Sequence, residues 1–142
     1  MAKRSANARW QGGLKAGNGS FKIPRGNIEA AYTFASRFEE GSGLSPEDLI
    51  AAAHASCFSM AFSADLEKAG FKPESVTTTA TVNLETVDGA PTVNRIHLDA
   101  VGVVPGIDEA AFQNAADGAR QNCPISRLLK AAEITVNARL QK

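Results

Sequence analysis

Cysteine is scarce in this sequence. Its 142 residues include 2, Cys57 and Cys123, too few for a disulfide scaffold, a ferredoxin-like cluster or a Cys₄ zinc site. Net charge is missing as well. The 15 Lys+Arg balance 15 Asp+Glu for a formal +0, and neither half is strongly basic. That argues against nucleic acid or a membrane surface as partner. Long apolar runs are also absent. The longest stretch without charge, Leu49 to Ala64 between Asp48 and Asp65, falls short of the roughly 20 residues of a membrane span, and it contains His54 and several serines. The start, MAKRSANARWQGG, carries no apolar segment of the kind a secretory signal needs. There is no repeat or low-complexity tract. These absences lead to an expectation of one domain over residues 1–142 in the cytoplasm. Permanent structural disulfides are rare there, but one that forms and is reduced again in a cycle is allowed.

What is present is core material, 44% hydrophobic residues, arranged in two periodicities. Short strand-like stretches come first: Ala6 to Trp10, Ser20 to Ile23 after the Gly17-Asn18-Gly19 turn, and Ile28 to Phe34 after a break at Pro24 to Asn27. Arg37 falls in a predicted loop before Gly41-Ser42-Gly43. A helix then starts with Ser45 as N-cap, Pro46 at its first position and Asp48 completing a capping-box pattern. Glu47 and Asp48 suit the helix dipole, and Gly70 is the natural C-cap. From Leu49 to Ala64 this helix is apolar or small on every face, which predicts burial all round. Val76 to Val87 and Val93 to Val104 alternate as strands. Asp88-Gly89 signals a hairpin between them, although Pro91 suggests a longer loop. Asp108 caps a second helix to about Gln121, Cys123-Pro124 breaks it, Ser126 to Ala131 adds a short helical turn, and Ile134 to Leu140 is a last strand. The fold class is α+β. One small sheet can cover only one side of the Cys57 helix; the second helix and the N-terminal hairpin could cover the rest, but a second copy of the chain, as a homodimer, is the expectation.

The two cysteines allow three readings. Both can be inert, since free cysteine often behaves as a small core hydrophobe. They can join His54, three residues before Cys57 on one helix face, and His97 in a metal site, although the spacing fits no standard zinc pattern. Or they can be redox partners. A thiolate is the nucleophile that attacks a peroxide, and it needs a nearby positive charge. A second thiol then resolves the sulfenic acid before over-oxidation. Arg37, Arg120 and Arg127 are candidate cations.

The stretch TFASRFEEGSGLSPEDLIAAAHASCFSMAFS, together with NCPISRLLKAAEITVNARL near the end, closely resembles the OsmC/Ohr family of thiol-dependent organic hydroperoxide reductases. The likeness extends through the ARWQGG start and the VPGID element at Val104 to Asp108. The resemblance implies an OsmC-like fold, with antiparallel sheets wrapped around central helices in an intertwined homodimer. It implies that Cys57 is the peroxidatic cysteine and Cys123, in the CP motif, the resolving one. Arg37 matches the arginine that stabilises the thiolate in the OsmC branch, and Glu47 the glutamate that orients it. In the Ohr branch that arginine comes earlier in the chain. His54 matches a position typical of the OsmC branch and receives no catalytic role, and Ile125 and Arg127 read as ordinary variation. The implied cycle uses a hydroperoxide substrate and an external thiol or dithiol reductant, with no cofactor and no metal.

From the residues alone, Arg37 would pair at the surface with Glu39 or Glu40, and Glu47 has a dipole reason to sit in a first helical turn. Glu47 and Cys57 are ten residues apart on one helix, about 15 Å along its axis at 1.5 Å per residue. A Glu47–Arg37 pair beside Cys57 is therefore expected to involve two subunits. Phe58, Met60 and Phe62 near Cys57, with Phe34 and Phe38 near Arg37, are candidates for an apolar substrate pocket or for plain core.

Overall fold

Alternation in the first third builds a small antiparallel sheet. The computed structural model of the chain describes residues 2–142, which fall into two compact units, Met1–Leu49 and Ile50–Lys142. In the first unit β1 (Asn7–Gln11), β2 (Asn18–Ile23) and β3 (Ile28–Tyr32) pair antiparallel in that order. Gly19 is opposite both Trp10 and Tyr32. A Cβ there would come within 2.6 Å of the Trp10 ring and 2.8 Å of the Tyr32 ring, so glycine lets the two rings meet across it at 5.4 Å between centroids. Phe21 is buried within this unit.

The sequence pattern predicts a loop at Arg37, whereas the structure has a short helix, α1 (Phe34–Phe38). Its start is fixed by a reciprocal capping box. The Ser36 N–H donates to Thr33 Oγ1 at 3.1 Å and the Thr33 N–H to Ser36 Oγ at 2.8 Å, satisfying two helix-start donors. Ser36 Oγ also donates to the Leu44 carbonyl at 2.8 Å, tying down the loop that follows. The signal was a TxxS box rather than the more familiar box with glutamate or glutamine, and the five-residue helix is too short to show a period.

Helix α2 (Pro46–Lys68) begins as its sequence predicts. The Ser45 N–H and hydroxyl both donate to Asp48 Oδ2 at 2.8 Å, and the Asp48 N–H donates to Ser45 Oγ at 3.2 Å. It ends on Gly70 at φ +95°, with the Gly70 and Phe71 N–H groups bonded back to Glu67 and Leu66, a left-handed cap that glycine adopts without strain. Charged turns at both ends extend the uncharged run into a helix of 23 residues. By length and composition alone, α2 would therefore reach across a membrane, contrary to the short-run expectation. Its Phe58, Phe62, Leu66 and His54 face is packed inside the protein.

The second unit holds the main core. Strands β4 (Ser75–Val87) and β5 (Ala90–Val103) form an antiparallel hairpin. Its turn is only Asp88-Gly89, both at positive φ (51° and 80°), as a two-residue hairpin requires. Pro91 does not lengthen the loop but sits in β5 opposite Thr86, near the strand's start, where proline is tolerated. Strand β6 (Glu133–Leu140) pairs with β5 in parallel, so this sheet is mixed rather than wholly antiparallel. The reason is the connection: α3 (Glu109–Asn122) and α4 (Pro124–Leu128) lie between the two strands and form the helical crossover that parallel pairing needs. Asp108 caps α3 by accepting the Ala111 N–H at 2.7 Å. Phe112 of α3 packs so closely on β5 that a Cβ at Gly102 would lie 2.6 Å from its ring. Ile96, Leu98 and Ala100 face the same core as Phe58, Phe62 and Leu66.

The expectation that α2 is buried on every side does not hold in the single chain. Ala52, Ala53, Ser56 and Ala64 are exposed, and Met60 is 79% exposed. The spacing of Ala53, Ser56, Met60 and Ala64 makes them one stripe.

Candidate active site

Two pairs of functional side chains form, one in each unit. In Met1–Leu49, α1 presents Arg37, whose Nε donates to Glu47 Oε1 at 2.9 Å. The surface partners Glu39 and Glu40 are not used. Glu47 is nearly buried while the Arg37 side chain is 40% exposed. Bonding through Nε leaves the two terminal nitrogens of the guanidinium free to meet another acceptor. The guanidinium also lies 5.3 Å from the Phe38 ring centroid, a cation–π distance. Arg37 borders a pocket of about 220 Å³ lined by Trp10, Leu14, Tyr32, Thr33, Phe34 and Phe38. Phe34 and Phe38 thus line a pocket. Phe58 and Phe62 do not; they are fully buried core, and Met60 points outward.

Ile50–Lys142 holds the two thiols. Cys57, part way along α2, has the Cys123 thiol and the Ile125 backbone N–H as neighbours that bear on its titration. Both cysteines are unbridged. Cys123 closes α3 and opens α4: its N–H bonds to the Ala119 carbonyl at 3.0 Å, while its sulfur accepts the Ser126 N–H at 3.3 Å. Pro124, which cannot continue α3, makes that junction and is itself suited to the first position of α4.

The Cys57 thiol titrates above its ordinary value. Burial is the main cause. The Ile125 N–H works against it, and the neighbouring Cys123 thiol adds to it. Within this unit no cation acts on Cys57. Arg120 is engaged by Asp117 at 2.8 Å, so that candidate cation is committed elsewhere.

His54 is fully buried, with Nε2 2.7 Å from Ser126 Oγ. Ser126 Oγ is in turn 3.1 Å from the Cys123 sulfur. Neither His54 nor Ser126 is marked in the sequence for this arrangement: His54 enters as a same-face neighbour of Cys57, a candidate metal ligand and a position typical of the OsmC branch, and Ser126 only as the start of a short helical turn. Ile125 acts through its backbone, which no side-chain pattern reveals. Among the described residues no group of three or more His, Cys, Asp or Glu is placed to hold a metal ion. His97 instead bonds to Thr135 Oγ1 at 2.6 Å and faces Asp99.

A family described as OsmC-like protein matches residues 39–139. The chain is 42% identical over 139 residues, 97% of its length and 96% of the relative's, to Peroxiredoxin OsmC of Escherichia coli (strain K12). It matches the Shigella flexneri protein of the same name to the same extent. Among solved structures, an organic hydroperoxide resistance protein from Elizabethkingia anophelis is 25% identical with a TM-score of 0.72, covering 99% of this chain and 98% of that one. The organic hydroperoxide resistance protein OhrB of Bacillus subtilis, at 21% identity and TM-score 0.67 over 96% and 98% of the two chains, shares the fold.

Proposed function

The chain belongs to the OsmC family, and from that premise we propose that it is a cysteine-based peroxidase. It reduces organic hydroperoxides, and hydrogen peroxide, to alcohol or water in defence against oxidative and osmotic stress. The observation that carries this reading is that the two free thiols, Cys57 and Cys123, are neighbours close enough for Cys123 to bear on the titration of Cys57. The Cys57 thiolate attacks the terminal oxygen of the hydroperoxide. An S–O bond forms, the O–O bond breaks, and the alkoxide takes a proton and leaves as alcohol. The Cys123 sulfur then attacks the Cys57 sulfenic acid. An S–S bond forms and hydroxide leaves with the thiol proton as water. An external thiol or dithiol reduces the disulfide. The cycle calls on no metal, flavin or haem, and a reducing compartment such as the cytoplasm supplies the thiols it consumes.

A thiolate needs a positive charge that the surroundings of Cys57 in its own unit do not offer. Arg37, held by Glu47, supplies it from a second copy in an intertwined homodimer, so that each site lies at the subunit interface. The exposed Ala53–Ser56–Met60–Ala64 stripe of α2 is a face such a copy would cover. The pocket beside Arg37 receives the organic group of the substrate.

The test is a thiol count and a turnover assay. Stoichiometric cumene hydroperoxide should consume two thiols per chain, and catalytic protein with excess dithiol should turn over many times. Cys57→Ser should abolish both, and Cys123→Ser should leave Cys57 open to over-oxidation. Thiol loss without turnover would make the protein a redox sensor. No thiol loss would make both cysteines structural.

A further inference from the structure

Three groups in the core of Ile50–Lys142 form a chain that the peroxidase cycle as stated does not use. His54, Ser126 and Cys123 are 0%, 2% and 1% exposed. His54 Nε2 is 2.7 Å from Ser126 Oγ, and Ser126 Oγ is 3.1 Å from Cys123 Sγ. The Ser126 N–H also donates to that sulfur at 3.3 Å. The other ring nitrogen of His54, Nδ1, is buried with no partner among the described residues.

The orphan nitrogen fixes the direction of the chain. A buried N–H without an acceptor is rarer and costlier than a buried lone pair without a donor. The ring proton therefore sits on Nε2, and Nε2–H donates to Ser126 Oγ. The Ser126 hydroxyl hydrogen cannot then point back at His54, and the Cys123 sulfur is its neighbour on the other side. While Cys123 is a thiol its S–H donates to Ser126 Oγ; once it is a thiolate it can only accept, and it then takes both the N–H and the O–H of Ser126. Sulfur gains most from such donors when it carries negative charge. It does so when it attacks the sulfenic acid and again when it leaves during reduction. Burial also keeps the imidazole neutral by holding its pKa below the ordinary 6.5, so the ring serves as an oriented donor rather than as a charge.

We propose that Ser126 is a catalytic residue for resolution, donating to the Cys123 sulfur as the disulfide forms and breaks, and that His54 is the positioning residue that turns the Ser126 hydroxyl toward that sulfur. In the step it assists, the Cys123–Cys57 S–S bond forms, the S–O bond of the sulfenic acid breaks, and the thiol proton departs with the hydroxide as water. Ser126 and His54 begin and end neutral. This rests on the two-thiol reading above, because it needs Cys123 to be the attacking sulfur.

The two steps can be timed separately. Reduced protein is mixed with one equivalent of cumene hydroperoxide. Loss of the Cys57 thiol is followed first, and conversion of trappable sulfenic acid to disulfide second. Ser126→Ala should slow the second step about 10- to 100-fold, the span for losing a hydrogen bond to a charged group, and leave the first within about twofold. His54→Leu should slow resolution similarly, and His54→Gln, whose amide N–H can stand in for Nε2–H, should recover most of the rate. A purely structural role for His54 would not be restored in a single step by that amide. The double variant Ser126→Ala/His54→Leu should be no slower than Ser126→Ala alone, because both act through one hydroxyl. Folded Ser126→Ala that resolves at the wild-type rate would overturn the proposal, as would additive losses in the double variant. If wild-type protein formed no Cys57–Cys123 disulfide at all, the two-thiol reading itself would fall. That outcome is distinguishable from a wild type that resolves normally and a Ser126→Ala that does so equally well.

Discussion

In Met1–Leu49 the cation stands partly in the open above a nearly buried Glu47, whereas in Ile50–Lys142 Cys123, Ser126 and His54 are sealed in the core and Cys57 is half-buried. Arg37 is 40% exposed, leans on Phe38 and borders an open apolar pocket. Cys123, Ser126 and His54 are almost wholly buried. An exposed guanidinium is cheap to keep charged, and a surface pocket can admit a ligand. Cys123 is buried and Cys57 half-buried, and even this partial burial raises the Cys57 pKa, the wrong direction for a peroxide-attacking thiolate. One unit has a cation and no thiol; the other has two thiols and no cation acting on Cys57. That no cation acts on Cys57 within its own unit is the physical reason for proposing that a second copy of the chain supplies one.

Among changes that keep both thiols, removing the cation should have the largest effect on the rate of oxidation. Arg37→Ala should slow oxidation of Cys57 about 10- to 100-fold, since an opposite charge nearby shifts a pKa by one or more units, and should move the pH dependence of thiol alkylation to higher pH. It also strands the nearly buried Glu47 carboxylate, so Arg37→Ala/Glu47→Gln is the fairer variant. Arg37→Lys should not restore the rate, because a single ammonium cannot hold Glu47 and still present a planar fork. Wild-type oxidation rates and thiol titration in the double variant would remove Arg37 from the mechanism.

That contrast was only partly legible in the sequence. The long helix was, because Ser45, Pro46, Asp48 and Gly70 mark both of its ends. The alternation of β4, β5 and β6 was too, as was the hairpin at Asp88-Gly89. The parallel pairing of β6 was not visible, since periodicity is the same in parallel and antiparallel strands. The short helix under Arg37 was missed because one turn has no period. Pro91 misled because the strand's first residues tolerate proline. Cys57, Cys123, Arg37 and Glu47 were singled out by likeness to a family. Ser126 and Ile125 act through a hydroxyl orientation and a backbone N–H, and neither leaves a mark in residue type.

The packing difference between the units predicts the next effect. Phe62, fully buried against Phe58 and Phe112, should cost about 3–5 kcal/mol when replaced by alanine, measured by urea denaturation. Phe38→Ala, at the half-open pocket, should cost about 1 kcal/mol or less and show itself instead as a raised KM for cumene hydroperoxide. Equal stability losses would mean that the two units are packed alike.

The smallest effect concerns pH. Burial lowers the His54 pKa from 6.5, so the unfolded chain takes up a proton on this ring at higher pH than the folded chain does. The stability tied to a neutral His54 is complete above that unfolded value and is lost as pH falls from it toward the folded value. Between about pH 7.5 and 5.5 the wild-type unfolding midpoint should therefore drop more than that of His54→Leu. Parallel midpoints would mean that the ring is not held neutral.

The most direct measurement is peptide mapping of wild-type protein after one equivalent of cumene hydroperoxide, under conditions that block free thiols. A Cys57–Cys123 cross-linked peptide pair should form in step with peroxide loss and be removed by a dithiol. Recovery of both cysteines as free, blocked thiols, with the hydroperoxide intact, would contradict the two-thiol cycle.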